Sequence, residues 1–512
     1  MLKKLTGLDA GFLYLETGRS FGHVSSLMLF ERPDDPDFDL VAEYRARIDR
    51  ALPQLDPLRR RLVEVPFGLD HPYWVFDPHF DLDYHVRHIA VPPPGGTDEL
   101  CALVARIIGR PLDRHRPLWE VYLIEGVDDG AGHHDGFAVL TKVHHATIDG
   151  VGGAQMLMMI LDHPESADPV PTTAELPAPD TVPGPMEMLG RAWWDLVSRP
   201  DLLVRAAART AREIPRITHT EEFASTTRDL RRRLPTPLGP AVSRMIGADH
   251  PTADDVADDH HERHGVPRTR FNAHITANRR FAYRSVPFTA VRDLKRALGV
   301  TVNDTVMAIC SGALRTYLAG HDELPDDPLR AMVPVSIRTF EEDDPWTNRV
   351  SSIFVELPTD VADPVDRVAT VHGAMEEAKH RFELLPAELI IDIASAVPGA
   401  LSVQAARLAT NPRIADRSPL PSNVVISNVP GPREPLYLGS ARLTHYIPVS
   451  TVVDGQGLNI TVQSYDDVLD FGFVACRELV PDLEHLADLH LAEIDVLAEA
   501  AGLTPTSHGV PS

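Results

Sequence analysis

Apolar and polar positions change period repeatedly along the first 165 residues. Val24-Ser-Ser-Leu-Met-Leu-Phe30 reads as a strand and Val41 to Leu52 repeats its apolar positions at helical spacing. Phe137-Ala-Val-Leu-Thr-Lys-Val143 is again strand-like, and Gly152 to Leu161 helix-like. Between Pro164 and Pro185, seven prolines in 22 residues exclude a continuous helix or central strand, so this stretch is a linker or surface crossing. A helical segment follows from Met186 to Ile214, interrupted at Pro200, with Leu189, Trp193, Leu196 and Val197 on its apolar stripe and Arg191, Asp195 and Arg199 off it.

From Pro267 the mixed pattern resumes. Strands are expected at Arg280 to Val286, Arg330 to Ile337, Val350 to Leu357, Asn423 to Ser427 and Leu458 to Ser464. Helices are expected from Thr289 to Leu298 and from Asp304 to Leu318, with a closing amphipathic helix from Asp482 to Ala501 that uses Leu483, Leu486, Ile494 and Leu497. The reading is two α/β halves, residues 1–165 and 267–503, joined by a region 166–266 of linker, amphipathic helices and an acidic loop, with a disordered tail at 504–512.

A chain of 512 residues exceeds what one hydrophobic core supports, which agrees with two domains. No apolar run reaches the roughly 18 residues of a membrane span, so any membrane contact is expected to be peripheral. Residues 1–15 do not form a secretory signal, because Asp9 interrupts their only apolar stretch, and a cytoplasmic location is expected. Cys101, Cys310 and Cys476 lie far apart and read as small buried hydrophobes.

A net charge of −25 excludes general binding to nucleic acid or anionic lipid, both of which need phosphate neutralisation. The segment Gly190 to Ile246 departs from this balance. It holds 11 Arg against 6 acidic residues together with Trp193 and Trp194. Residues 186–246 are therefore the place where a lipid surface could be met, at the inner membrane or a lipid droplet. Asp254, Asp255, Asp258, Asp259, His260, His261 and His264 resemble a metal-ligand set but have no apolar scaffold around them, so a solvated loop is the reading, and no metal is expected.

The densest chemistry is His144-His145-Ala-Thr-Ile-Asp149-Gly150. A two-residue period sends the two imidazoles to opposite faces, His145 with Phe137, Val139 and Val143 and His144 with Lys142. Opposite faces disfavour chelation of one ion by the pair, and no G-x-S-x-G elbow occurs. Paired histidines at a strand end are either structural or catalytic, and Asp149 can orient an imidazole or pin its turn.

This block resembles the signature His-His-x-x-x-Asp-Gly of the bacterial wax ester synthase/diacylglycerol acyltransferase family. Further blocks follow in the family's order: Leu5-Thr-Gly-Leu-Asp-Ala-Gly-Phe-Leu-Tyr-Leu-Glu16 with His23, Pro117-Leu118-Trp119-Glu120, Val302-Asn303-Asp304, Pro334-Val-Ser-Ile-Arg338 and Ser427-Asn428-Val429-Pro430-Gly431-Pro432. Gly22 and Ser25 depart from the usual residues around His23, as does Thr347 before Asn348.

The resemblance implies two chloramphenicol-acetyltransferase-like sandwich domains forming a pseudo-dimer with a channel between them. It implies transfer of a fatty acyl group from acyl-CoA, a co-substrate with no further cofactor, to diacylglycerol or a long-chain alcohol. His145 is then the general base, with His144 and Asp149 in the catalytic set and Asn303 as oxyanion donor; Asn303's other reading is a helix cap. Glu16, Pro117, Trp119, Gly150 and Asn428 are expected at the substrates. Asp304 and Arg338 are expected to be structural, Arg338 by pairing with Asp149. The alternatives are a condensing enzyme fed by a carrier protein and a weakly active droplet-binding paralogue.

Overall fold

Two six-stranded mixed sheets organise the chain, with a small three-stranded sheet beside the first. The computed structural model describes residues 2–128, 136–148, 150–163, 180–198, 266–336, 350–383 and 421–504. The acidic loop 248–264, most of the linker, and residues 505–512 lie outside them.

The first sheet runs β12 (Tyr437–Leu438), β13 (Ala441–Val449), β2 (His23–Phe30), β7 (Gly136–His144), β6 (Trp119–Val127) and β5 (Val86–Ala90). The second runs β10 (Val350–Leu357), β9 (Leu329–Ser336), β11 (Val424–Val429), β14 (Leu458–Tyr465), β15 (Val468–Cys476) and β8 (Arg279–Pro287). The third pairs β1 (Lys3–Lys4) with β4 (Tyr73–Phe76) and β4 with β3 (Arg60–Val63).

The ten helices among the described residues are α1 (Gly7–Tyr14), α2 (Leu40–Ala51), α3 (Leu82–His85), α4 (Thr97–Ile108), α5 (Gly150–Ile160), α6 (Pro185–Ser198), α7 (Phe288–Leu298), α8 (Val302–Gly320), α9 (Pro364–Glu383) and α10 (Leu483–Ala500). None of them alone is long and apolar enough to cross a membrane.

Reading the chain as two sequential halves misses one exchange. β12 and β13 come from the C-terminal half yet extend the N-terminal sheet, β13 pairing antiparallel with β2 from Val449↔Ser25 to Leu443↔Phe30. Hydrophobic periodicity identifies a strand but not its partner, so this crossover leaves no local trace in sequence.

β7 is buried on both faces. Phe137, Val139 and Val143 enter one core, while Ala138 and Leu140 enter a second core shared by the two halves, where α4 packs with Phe281, Ile447 and Val474. Lys142, on the face of His144, is buried as well. A central strand covered on both sides reads as nearly continuous apolar sequence.

α6 also differs from expectation. It docks through Met188 and Ala192 against Val63, Val65, Tyr73 and Val75, while Trp193 and Trp194 stay 68% and 70% exposed. All three cysteines are buried and unpaired, as the sequence suggests.

Candidate active site

The backbone places the histidine pair at the end of β7. His144 is the last residue of the strand, in register with His23 of β2. Its N–H donates to Leu118 O (2.9 Å), and the His145 N–H donates to Gly22 O (2.8 Å). Two segments remote in sequence thus fix the point where the chain leaves the sheet.

The two imidazoles occupy different surroundings. His144 is buried at 1% exposure. Its Nδ1 accepts the Ala146 N–H at 3.0 Å, which puts the ring proton on Nε2, 3.2 Å from Glu16 Oε1. Glu16 Oε1 also accepts the Gly22 N–H (2.7 Å), and Oε2 accepts Arg114 Nη2 (2.6 Å). Burial pushes the Glu16 carboxyl up, but hydrogen bonds from His144, Gly22 and Arg114 outweigh it and hold the group at about 2. Gly22 is required by this packing, since a Cβ there would lie 2.6 Å from His144 Nε2.

His145 is only partly buried. Its ring stacks on Phe12 of α1, centroids 4.5 Å apart and planes 6° from parallel. Phe12 lies in the opening block, but its contact with the histidine is a product of the fold. The same is true of Arg114, whose charge has no local signal in sequence.

Behind the pair, His23 Nε2 is 2.9 Å from Ile108 O, and Lys142 Nζ donates to Arg110 O (2.6 Å) and Ile107 O (3.2 Å). Burial, reinforced by Lys142, pushes His23 well below the usual histidine range, and burial brings Lys142 down to about 8. Both act as ties to the end of α4.

The structure brings together two other predicted residues. Asn428 Nδ2 lies 3.5 Å from Asn303 Oδ1, which leaves the Asn303 amide N–H groups directed elsewhere. Asn303 is not the cap of α8. That role belongs to Thr301, whose Oγ1 accepts the Asp304 N–H while Asp304 Oδ2 accepts the Thr301 N–H. Asp304 is 1% exposed and also bonds His372 Nδ1 at 2.8 Å. Its expected structural part thus has a geometry, with His372 as a partner that sequence did not suggest.

Pro117 and Trp119, both expected at the substrates, lie in packed surroundings. Pro117 is buried. Trp119 is 1% exposed, stacks on His85 (4.3 Å) and donates its indole N–H to Leu58 O (2.7 Å). An amphipathic ring buries its apolar body and needs a partner for its N–H, and the core supplies both. Glu16 likewise binds the site's own groups through both of its oxygens. Gly150 begins α5. Asp149, Arg338, Thr347 and Asn348 lie outside the described residues.

The chain matches the wax ester synthase/diacylglycerol acyltransferase catalytic domain over residues 5–306 and the WS/DGAT C-terminal domain over residues 346–497. It is 34% identical to O-acyltransferase WSD of Acinetobacter baylyi, covering 96% of each chain. It is also 34% identical to tgs2 of Mycobacterium tuberculosis, named as a probable diacylglycerol O-acyltransferase, covering 97% of this chain and 98% of that one. The wax ester synthase/diacylglycerol acyltransferase of Marinobacter aquaeolei superposes with a TM-score of 0.66 at 30% identity, covering 98% of this chain and 100% of that one. A condensation domain of the calcium-dependent antibiotic synthetase shares the fold, with a TM-score of 0.55 at 15% identity. Full-length identity above 30%, two domain matches in chain order and the ordered site blocks place this chain in the wax ester synthase/diacylglycerol acyltransferase family.

Proposed function

We propose that the protein esterifies diacylglycerol, and long-chain alcohols as second acceptors, with a fatty acyl group from acyl-CoA. The division of roles within the histidine pair carries this reading. His144 spends its ring on Ala146 and Glu16, while His145 stands half-buried against Phe12 with its backbone pinned. His145 takes the acceptor's hydroxyl proton. The oxygen bonds to the acyl carbon, the C–S bond breaks, and the proton passes to the departing CoA thiolate. His144 and Glu16 are positioning residues. An imidazole suits the base because its ordinary pKa lies near neutrality.

Asn303, with its carbonyl turned to Asn428, donates to the oxyanion that forms in this attack. Asn303→Ala is expected to lower kcat by about 10²-fold to 10³-fold with little change in KM. Steady-state rates of thiol release from palmitoyl-CoA in the presence of diacylglycerol check this. A variant within about threefold of wild type would remove Asn303 from the chemistry.

Lipid acceptors reside in membranes and droplets, and one face of the protein suits such a surface. Trp193, Trp194 and Met186 of α6 are exposed, and α6 packs beside the 66–68 turn, where Phe67 (88% exposed, φ 61°) and Leu69 (51%) also point outward. Five large apolar side chains on adjacent elements form an interfacial patch at the start of the 186–246 segment. Trp193→Ala/Trp194→Ala/Phe67→Ala is expected to lose sedimentation with phosphatidylcholine vesicles while keeping its thermal midpoint. Equal sedimentation of both proteins would refute the patch.

A further inference from the structure

We infer that the groove between α4 and β8 holds the phosphate end of the CoA donor. The cavity there measures about 710 Å³, within the range of small-molecule sites. Five arginines line it: Arg106 and Arg110 from α4 and its end, Arg279 and Arg280 from β8, and Arg477. Only Asp98 and Glu484 oppose them within the lining, a local excess of positive charge in a chain of net charge −25.

Structural duties account for part of this cluster. Arg280 pairs with Glu484 (3.0 Å) and Arg477 with Glu478 (3.3 Å), while Arg279 bonds Thr276 O and Arg19 O. Arg106 and Arg110 make no ion pair among the described residues. They stand four residues apart at the end of α4, where like charges repel. One cation at a helix C-terminus complements the dipole, but a second beside it, facing three more across a cavity, is not needed for that. CoA carries three phosphates, and planar guanidinium groups bind phosphate oxygens bidentately.

The groove is tied to the proposed base. The α4 carbonyls of Ile108 and Ile107 behind it bond His23 and Lys142 of the strand pair that ends at His144. Arg279 stacks on Phe21 (5.5 Å), next to Gly22, whose carbonyl accepts the His145 N–H. The segment Arg19–Gly22 therefore links the wall of the groove to the backbone that holds the proposed base.

The assignment rests on acyl-CoA being the donor, so the experiment separates the two claims. Full-length wild type, Arg106→Ala/Arg110→Ala and Arg106→Lys/Arg110→Lys are titrated calorimetrically with CoA and 3′-dephospho-CoA. The same proteins are assayed with palmitoyl-CoA and with palmitoyl-N-acetylcysteamine, which has no phosphate.

The Ala pair is expected to raise the CoA Kd by about tenfold to a hundredfold, with partial recovery in the Lys pair. It is also expected to erase most of the kcat/KM preference for palmitoyl-CoA over the phosphate-free thioester. Unchanged CoA binding in the Ala pair, with wild type turning over palmitoyl-CoA, overturns the groove and leaves the acyl-CoA reading standing. Wild type that ignores CoA but uses the phosphate-free thioester overturns both, and points to a carrier-bound donor.

Discussion

His145→Ala is expected to lower alcohol-dependent thiol release from palmitoyl-CoA by about 10²-fold to 10⁴-fold, the range a positioned general base contributes. Folding should survive the change. His145 is partly exposed, its backbone bond to Gly22 does not need the side chain, and its stacking contact with Phe12 lies at the edge of the fold's cores. Unfolding midpoints within a few degrees of wild type, beside the loss of activity, would identify a chemical role.

His144→Ala provides the contrast. That ring is buried at 1% exposure and holds Ala146 and Glu16, so its removal should lower stability and activity together. An active His145→Ala protein beside a stable, inactive His144→Ala protein would reverse the roles assigned to the pair.

Gly472→Ala should be the most destabilising small substitution in the domain interface. A Cβ at Gly472 would sit 1.8 Å from Pro448 O and 2.9 Å from its carbon, backbone atoms of β13 that cannot rotate away. β13 has little room to retreat, being hydrogen-bonded along β2, and Asp470 of β15 accepts the Tyr446 N–H at 2.9 Å and pairs with His445 at 2.9 Å. Overpacking a well-filled site costs roughly 1 to 3 kcal/mol, and an overlap with fixed backbone belongs at the upper end or beyond.

Urea unfolding measures the effect, with Gly373→Ala as the control. Gly373 lies within α9, where a Cβ would meet nothing within 4 Å, so that change should stabilise by up to about 1 kcal/mol. Equal midpoints for the two variants would mean that β13 does not pack on Gly472 in solution. A lowered midpoint in Gly472→Ala with activity lost would show that the crossover strand also holds the active site together.

Much of the fold was legible because its signals are local. The strand Val24 to Phe30 lies within β2, the helix expected from Asp304 to Leu318 lies within α8, and the helix expected from Asp482 to Ala501 is α10. Thr301 with Asp304 forms a capping box, and α8 starts at Val302, two residues before the helix expected from Asp304. α6 docks through Met188 and Ala192 rather than through the stripe that includes Trp193, since periodicity shows which residues share a face but not which face another element covers.

The site divides along the same line. The residue types of the histidine block, their order with the later Asn303 and Asn428 blocks, and the membership of this chain in its family are written in the sequence, because chemistry and motif order are linear properties. Tertiary structure decided what each histidine meets, His144 the buried Glu16 and His145 the ring of Phe12. That outcome depends on Glu16, Gly22 and Leu118 meeting β7 from separate segments. It also moved Trp119 into the core and carried β13 across to β2. These are contacts between residues far apart in the chain, set by packing and pairing that no local pattern encodes.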